Sequence, residues 1–362
     1  MRRTYWLLSL ALLALGGTAQ ANDDSYTFIP LSTLGGAMSL GSDVNKHGKA
    51  VGHSLNSSAI WRGFEFQDGV MGDLGTLGGT FSMASRINMH GHKTGAANTT
   101  GNTETHAVVW TEFGVTDLGT ISGYKSAQGL AINKFGEVVG EANLRPIGGF
   151  ALPNSQAFYV GNAGMVAIPT LGGRYSRANH LSDKGEIVGV AEVANSANVH
   201  AVQWERKKKD TWRITDLGTL PGFPSSAANA VSNAGWIVGW SFNSTFSQAS
   251  AFLHKGGIWQ GAMIPLPGLG GNVSLASGIN KHHLIVGMSS TPLGDRHAVK
   301  WDPYGNITDL NVYLPAGSGW VLTNAASINK HGDIIGSAVD PSGNTRAFIL
   351  QKHGPRDDDG DD

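Results

Sequence analysis

Four side chains that could do chemistry fall close together: Arg174, Tyr175, Arg177 and His180. A His–Tyr–Arg group can abstract a proton next to an acidic substrate group. Strand alternation works against this grouping, because Arg177 and His180 are three apart and should point to opposite faces. A second set is aromatic: Phe81, Tyr124, Tyr175, Phe223 and Trp320 each follow a Gly-containing segment, where Met38 and Val273 stand in two further copies. Aromatic faces there could stack on sugar rings, or could equally fill a core. A third set is His47, His90, His282 and His331, which recur at one turn position, beside Lys46, Lys281 and Lys330. They would form an arc that gains charge near pH 6.5 and attracts polyanions, or simply face water. Neighbouring copies are too far apart for these histidines to share one metal. There is no cysteine, and no nucleophile or zinc motif, so the sequence asks for no metal and no cofactor.

The elements that must carry these residues are repeats. The Gly closing an apolar segment recurs at Gly52, Gly95, Gly140, Gly189, Gly239, Gly287 and Gly336. That spacing of about 47 residues is the length of one propeller blade. Ahead of each Gly lies a turn, as in Asn45-Lys46-His47-Gly48 and Ser182-Asp183-Lys184-Gly185; only His283 replaces its final Gly. Asn or Ser first and Gly fourth is a type I turn signature. Four residues before the Asn or Ser stand Gly41, Ala84, Gly129, Ala178, Ala228, Ala276 and Ala325, all small. Crowding at a propeller axis demands such residues, so this is predicted to be the innermost strand. A third strand reads His106-Ala107-Val108-Val109-Trp110, His200-Ala201-Val202-Gln203-Trp204 and His297-Ala298-Val299-Lys300-Trp301, with looser copies at Ala157-Phe158, Ala251-Phe252 and Ala347-Phe348. The repeated Trp and His are predicted to be structural. A fourth strand ends in Asp73-Leu74-Gly75-Thr76-Leu77-Gly78-Gly79 and its relatives.

The phase of the repeat completes the prediction. The mature chain opens on Tyr26–Leu31, a fourth strand, and ends on Ala347–Leu350, a third strand. The expected fold is therefore all-β: a seven-bladed β-propeller of four-stranded repeats, closed by the N-terminal strand pairing in the last blade. Closure removes the open edge of a linear array.

The repeat elements resemble the family of probable extracellular proteins named for a His-Ala-Phe triplet. The resemblance rests on the Leu-Gly-Thr-Leu-Gly-Gly and Ile-Asn-x-x-Gly-x-Val-Val-Gly segments over about Tyr26–Leu350. No copy keeps the triplet intact. The family implies secretion and repetition and brings no catalytic residues.

Around the repeats, residues 1–21 read as a signal peptide: Arg2 and Arg3, an apolar run from Trp6 to Leu15, and Ala19-Gln20-Ala21 for cleavage. Residues 22–353 form the propeller and 354–362 an acidic disordered tail. The net charge of −1 offers no field for nucleic acid. No stretch after the leader suggests membrane insertion, and a monomer is expected. The function expected is a secreted or periplasmic binding module for carbohydrate or a cell-surface polymer, with Phe81, Tyr124, Arg174, Tyr175, Arg177, Phe223 and Trp320 as ligand contacts. The alternatives are a polysaccharide lyase or hydrolase on the same scaffold, or a structural surface protein.

Overall fold

The computed structural model describes residues 25–144, 154–208, 211–256 and 261–354. The predicted leader, and all of the predicted tail except Gly354, lie outside these residues. The described chain is all-β, built from four-stranded antiparallel sheets in a β-propeller-like repeat.

Sheet 1 comprises Gly35–Val44, Ala50–Asn56, Trp61–Gln67 and Val70–Asp73, in that order. Sheet 2 repeats it with Gly78–Ile87, Lys93–Thr99, Thr105–Thr111 and Gly114–Gly119. Sheet 3, Ser126–Ile132, Val138–Asn143, Gln156–Gly161 and Gly164–Ala167, touches sheet 2 through one parallel bridge, Ser126 to Thr105. Sheet 4 is Gly172–Leu181, Ile187–Val193, Val199–Arg206 and Trp212–Gly218. Sheet 5 is Ser225–Val231, Trp236–Phe242, Ala249–Lys255 and Ile264–Pro265. Sheet 6 is Ser274–Ile279, Ile285–Ser290, Arg296–Trp301 and Ile307–Asp309. Sheet 7 takes three strands from the end of the chain, Val321–Ile328, Ile334–Val339 and Thr345–Lys352, and its fourth from the beginning, Tyr26–Pro30. The pairing runs from Tyr26 opposite Lys352 to Pro30 opposite Phe348.

The predicted turns form as their sequence requires. Asn45 Oδ1 accepts from the His47 and Lys49 amides, and Gly48 N donates to Asn45 O at 3.0 Å. The small residues of the first strands and the repeated glycines turn out to be one feature. Gly41, Ala84, Gly129, Ala178, Ala228, Ala276 and Ala325 lie directly opposite Gly52, Gly95, Gly140, Gly189, Gly239, Gly287 and Gly336. A bulge follows each pair, so that one first-strand residue has no partner. At the glycine, a Cβ would sit only 1.9–2.1 Å from a first-strand carbonyl oxygen. Glycine is needed there for close approach, not for an unusual φ.

The core lies between consecutive sheets. Phe64, Phe158, Phe252 and Phe348 fill sheets 1, 3, 5 and 7 and are fully buried. Where Val108, Val202 and Val299 take that place, a Trp two residues on (Trp110, Trp204, Trp301) supplies the volume, and Trp204 and Trp301 donate to Pro169 O and Pro267 O. The expectation that these Trp pack the blades is met.

Hydrogen bonds between sheets repeat as well. A third-strand amide donates to a buried serine of the next first strand: Gly63 to Ser82, Ala157 to Ser176, Ala201 to Ser226, and Ala251 to Ser274. The same bond joins Ala347 of sheet 7 to Ser39 of sheet 1, at 3.1 Å. The turn asparagines add a second series, Asn45 Nδ2 to Asn88 O, Asn88 to Asn133, and Asn280 to Asn329. It again returns from sheet 7 to sheet 1, Asn329 Nδ2 to Asn45 O at 2.9 Å. Ser232 cannot make this reach from sheet 5 to sheet 6. There Trp236 stacks on His283, with centroids 3.8 Å apart and 15° between planes. His283, the exception to the Gly rule, holds at φ +61° the positive φ that glycine holds at this turn position in the other sheets. The cost of that backbone conformation is offset by the stacking.

Candidate functional site

The bulge decides what faces the space that the first strands surround. Residues following it, Asp43, Arg86, Ala131, His180, Ala230, Gly278 and Ser327, come one from each sheet and all line a cavity of about 740 Å³. Three are alanine or glycine and leave room; Asp43, Arg86 and His180 break the pattern. Arg86 Nη1 lies 3.5 Å from Asp43 Oδ1. Asp43 also accepts from the Ile87 amide at 2.9 Å and from Ser327 Oγ at 2.6 Å, the latter across the junction of sheets 7 and 1. Burial, helped by the positive charge of Arg86, pulls the His180 pKa down to about 3. Its imidazole is therefore neutral at ordinary pH and a weak base.

A second cavity of about 370 Å³ shares Arg86 with the first. The residues skipped by the bulges line it: Ser42, Ser85, Leu130, Asn179, Asn229, Ser277 and Ala326. Asn179 and Asn229 each donate Nδ2 to the next sheet's carbonyl, Ala228 O and Ala276 O, both at 2.8 Å. That fixes the amides and leaves their oxygens as acceptors. Gln128 donates to Ser85 Oγ at 3.1 Å. Arg177 lies 3.6 Å from Glu141. Burial lowers the His53 pKa to about 4. Asp43 with Arg86 and Glu141 with Arg177 form opposed pairs, while the larger cavity is lined in addition by Lys46, Lys134, Lys184, Lys281 and Lys330 and by one further carboxylate, Asp183.

Of the predicted ligand contacts, Arg177 lines the second cavity. Arg177 and Asn179 line the second cavity and His180 the larger one, on either side of the bulge between Ala178 and His180, so Arg177 and His180 do not share a cavity. Arg174 is exposed. The five aromatics occupy two registers. Phe81 and Tyr175 lie within long first strands, whereas Tyr124, Phe223 and Trp320 lie in the turns before shorter ones. Neither the larger nor the second cavity is lined by any of the five. Tyr124, Tyr175, Phe223 and Trp320 pack against apolar clusters, and Trp320 meets Phe28 edge-on at 5.3 Å. Burial raises the Tyr175 pKa. His47 and His90 lie outside the cavities described so far; His282 and His331 line a third, between sheets 6 and 7.

The repeated third-strand histidines have a structural partner that sequence reasoning did not name. His106 Nδ1 meets Asp117 at 2.9 Å, His200 meets Asp216 at 2.8 Å, and His297 meets Asp309 at 2.6 Å. Arg62 and Asp73 form the same pair in sheet 1. Burial opposes charge on His106, but the carboxylates of Asp117 and Glu104 outweigh it and raise its pKa. A raised folded-state value means that the contribution is complete below the unfolded value of about 6.5 and is lost as pH rises through the folded value. His106→Gln should therefore cost stability at pH 6 but little at pH 8, where Gln156 shows that an amide is accepted at this place in sheet 3. With one side open to solvent the difference should stay below about 1 kcal/mol. Urea midpoints of both proteins at the two pH values measure it, and a gap that does not narrow with pH rejects the assignment.

Comparisons with known proteins agree on the architecture. The fold is similar to that of a puromycin hydrolase (TM-score 0.54, 12% identity, 87% of this chain and 54% of that one). It is also similar to a puromycin-hydrolyzing peptidase of Mycobacterium tuberculosis (TM-score 0.51, 10% identity, 89% and 56%). TolB from Acinetobacter baumannii aligns less closely (TM-score 0.46, 9% identity, 85% and 65%). The chain spans about half the length of the two hydrolases. At such identities the likeness concerns the fold alone. No family model and no curated protein sequence matches the chain. Among the described residues no helix is long and apolar enough to cross a membrane, and no group of three His, Asp or Glu could hold a metal ion.

Proposed function

We propose that the chain is a secreted or periplasmic binding module of the His-Ala-Phe repeat type: a seven-bladed propeller, closed by its N-terminal strand, that takes a carbohydrate into its central channel. The observation carrying this is the pair of cavities of about 740 and 370 Å³, the larger lined from all seven sheets. Their size suits a small ligand, and a few convergent polar groups are what orient one. More lysines than carboxylates line the larger cavity, which suits an acidic carbohydrate as well as a neutral one. Fixed amide oxygens and serine hydroxyls of the second cavity match a ring of sugar hydroxyls. The leader supports export. His180, its pKa lowered to about 3, is a weak base, which disfavours the lyase reading for that residue.

The test is a glycan array on the mature protein together with a reducing-end assay. Binding without new reducing ends is expected. Gln128→Leu, which removes one polar contact and lies beside Ser85, should weaken that binding about 10-fold, the worth of one net hydrogen bond of about 1–1.5 kcal/mol, with the unfolding midpoint unchanged. New reducing ends would convert the module into an enzyme, and silence in both assays would reject a carbohydrate ligand.

A further inference from the structure

The second cavity differs from the larger one in its charged groups. Among the described residues two arginines line it, Arg86 and Arg177, and no lysine or carboxylate does. Each arginine has a carboxylate beside it, yet neither is used up by that partner. Asp43 meets Arg86 only at Nη1 and at 3.5 Å, the long limit of a hydrogen bond. Asp43 is held independently by the Ile87 amide at 2.9 Å and by Ser327 Oγ at 2.6 Å. Nε and Nη2 of Arg86 donate to no described residue. Arg177 Nε stands 3.6 Å from Glu141 Oε1, too far for a hydrogen bond, and is buried without an acceptor. The Tyr175 hydroxyl is the other neighbour of that guanidinium. His53, on the second strand of sheet 1, lines the same cavity, and its buried Nδ1 has no partner among the described residues. Buried polar groups are nearly always hydrogen-bonded, so donors left open at one cavity point to a ligand that completes them.

We infer that the second cavity seats a uronic acid, a sugar ring bearing one carboxylate, with that carboxylate on Arg86 and Arg177. This rests on the carbohydrate reading above and narrows it to a substrate class. The donor set selects the group: the planar guanidinium fork meets both oxygens of a carboxylate with parallel N–H bonds. With Asp43 and Glu141 beside them the two arginines are already balanced in charge. The gain on binding is therefore directional hydrogen bonding at short range, not long-range attraction. The rest of the lining suits the sugar hydroxyls. Asn179 and Asn229 keep their amide oxygens as acceptors, because each Nδ2 is bonded to the next sheet. His53, neutral because burial lowers its pKa to about 4, offers an N–H at one nitrogen and a lone pair at the other. A volume of about 370 Å³ is at the small end of ordinary ligand pockets, which fits one sugar residue or the end of a chain.

The probes are oligomers of galacturonate, glucuronate and mannuronate, each beside its carboxyl-reduced counterpart. Reduction keeps the rings and linkages and replaces every carboxylate by a primary alcohol. The glycan array on the mature full-length chain ranks them, and titration calorimetry measures the tightest pair. The uronate should bind at least about 10-fold more tightly than its reduced form, the worth of one charge-assisted hydrogen bond. Arg177→Gln should bring that ratio below about 3-fold, since it removes one fork. Arg86→Lys should do the same while keeping a positive charge opposite Asp43, which protects the fold but loses the fork. The ratio is the readout because a variant that merely loosens the structure weakens both ligands alike. Equal affinity for uronate and reduced form would overturn this inference and leave the carbohydrate module standing, whereas no binding to any glycan would reject both. An undiminished ratio in both arginine variants would move the carboxylate to the lysines of the larger cavity and overturn the assignment.

Discussion

Replacing Gly189 or Gly336 by alanine should destabilise the protein by about 3 kcal/mol or more, whereas the same change at Gly72 should be neutral or slightly stabilising. At Gly189 the added Cβ would lie 2.0 Å from Arg177 O and 3.0 Å from Ala178 Cα. At Gly336 it would lie 1.9 Å from Asn324 O. All the nearest atoms are backbone, so no rotamer can yield. The strands must separate, which breaks the pairing and the bulge together. Overpacking of a core usually costs about 1–3 kcal/mol, and a clash against immovable backbone belongs at or above that range. Gly72 has nothing within 4 Å of an added Cβ, and alanine there only narrows the unfolded ensemble. Chemical denaturation of the variants, followed by circular dichroism, compares them. An alanine at Gly189 or Gly336 that folds with the wild-type midpoint would mean that these glycines are not held against the neighbouring strand.

These glycines also show what could be read from the sequence and what could not. Their period, the Asn-led turns and the small first-strand residues were legible because each is a single-residue requirement repeated at a fixed interval. So was the phase that sends Tyr26–Pro30 to the end of the chain. The bulge was not legible, since one unpartnered residue leaves no compositional mark. Without it, the channel set of Asp43, Arg86 and His180 goes unrecognised. A signal existed: those charged or titratable residues stand where other copies hold alanine, glycine or serine. The aromatic set misled because equal distance from a glycine pair was taken as equal register, although first strands vary in length from Gly78–Ile87 to Ser126–Ile132. The His–Asp pairs could have been found within the chain alone. Where the third strand carries Arg62, His106, His200 or His297, the fourth carries Asp73, Asp117, Asp216 or Asp309. Where it carries Gln156, whose Nε2 bonds Ile168 O instead, the acid is absent.

A chain that begins at Thr33 should lose the native state, and moving the missing strand to the other terminus should restore it. Tyr26 and Leu31 are buried, and each such side chain is worth about 1.5–3 kcal/mol. Phe28 adds contacts with Trp320 and Phe348, and Tyr26 packs against Tyr313 at 4.7 Å. Leu31 belongs to the cluster that joins Val44 and Phe64 of sheet 1 to Ile335 and Ile349 of sheet 7. Its loss opens the junction between first and last sheets, and it leaves Thr345–Lys352 as an unpaired edge prone to aggregation. A total of about 3–6 kcal/mol from the two buried residues alone is comparable with the stability of a whole domain. The rescue distinguishes lost closure from mere truncation. His353 N donates to Ser25 O, so residues 25–31 already follow the last strand in space as a fourth strand follows a third elsewhere. A permuted chain starting at Thr33, with Ser25–Leu31 joined after Gly354 by a short turn, can remake the same antiparallel register. It should be soluble and monomeric by size-exclusion chromatography, with a wild-type circular dichroism spectrum, while the truncated chain aggregates or melts far lower. A truncated chain as stable as the parent, or a permuted chain no better than the truncated one, would show that the opening strand does not close the ring.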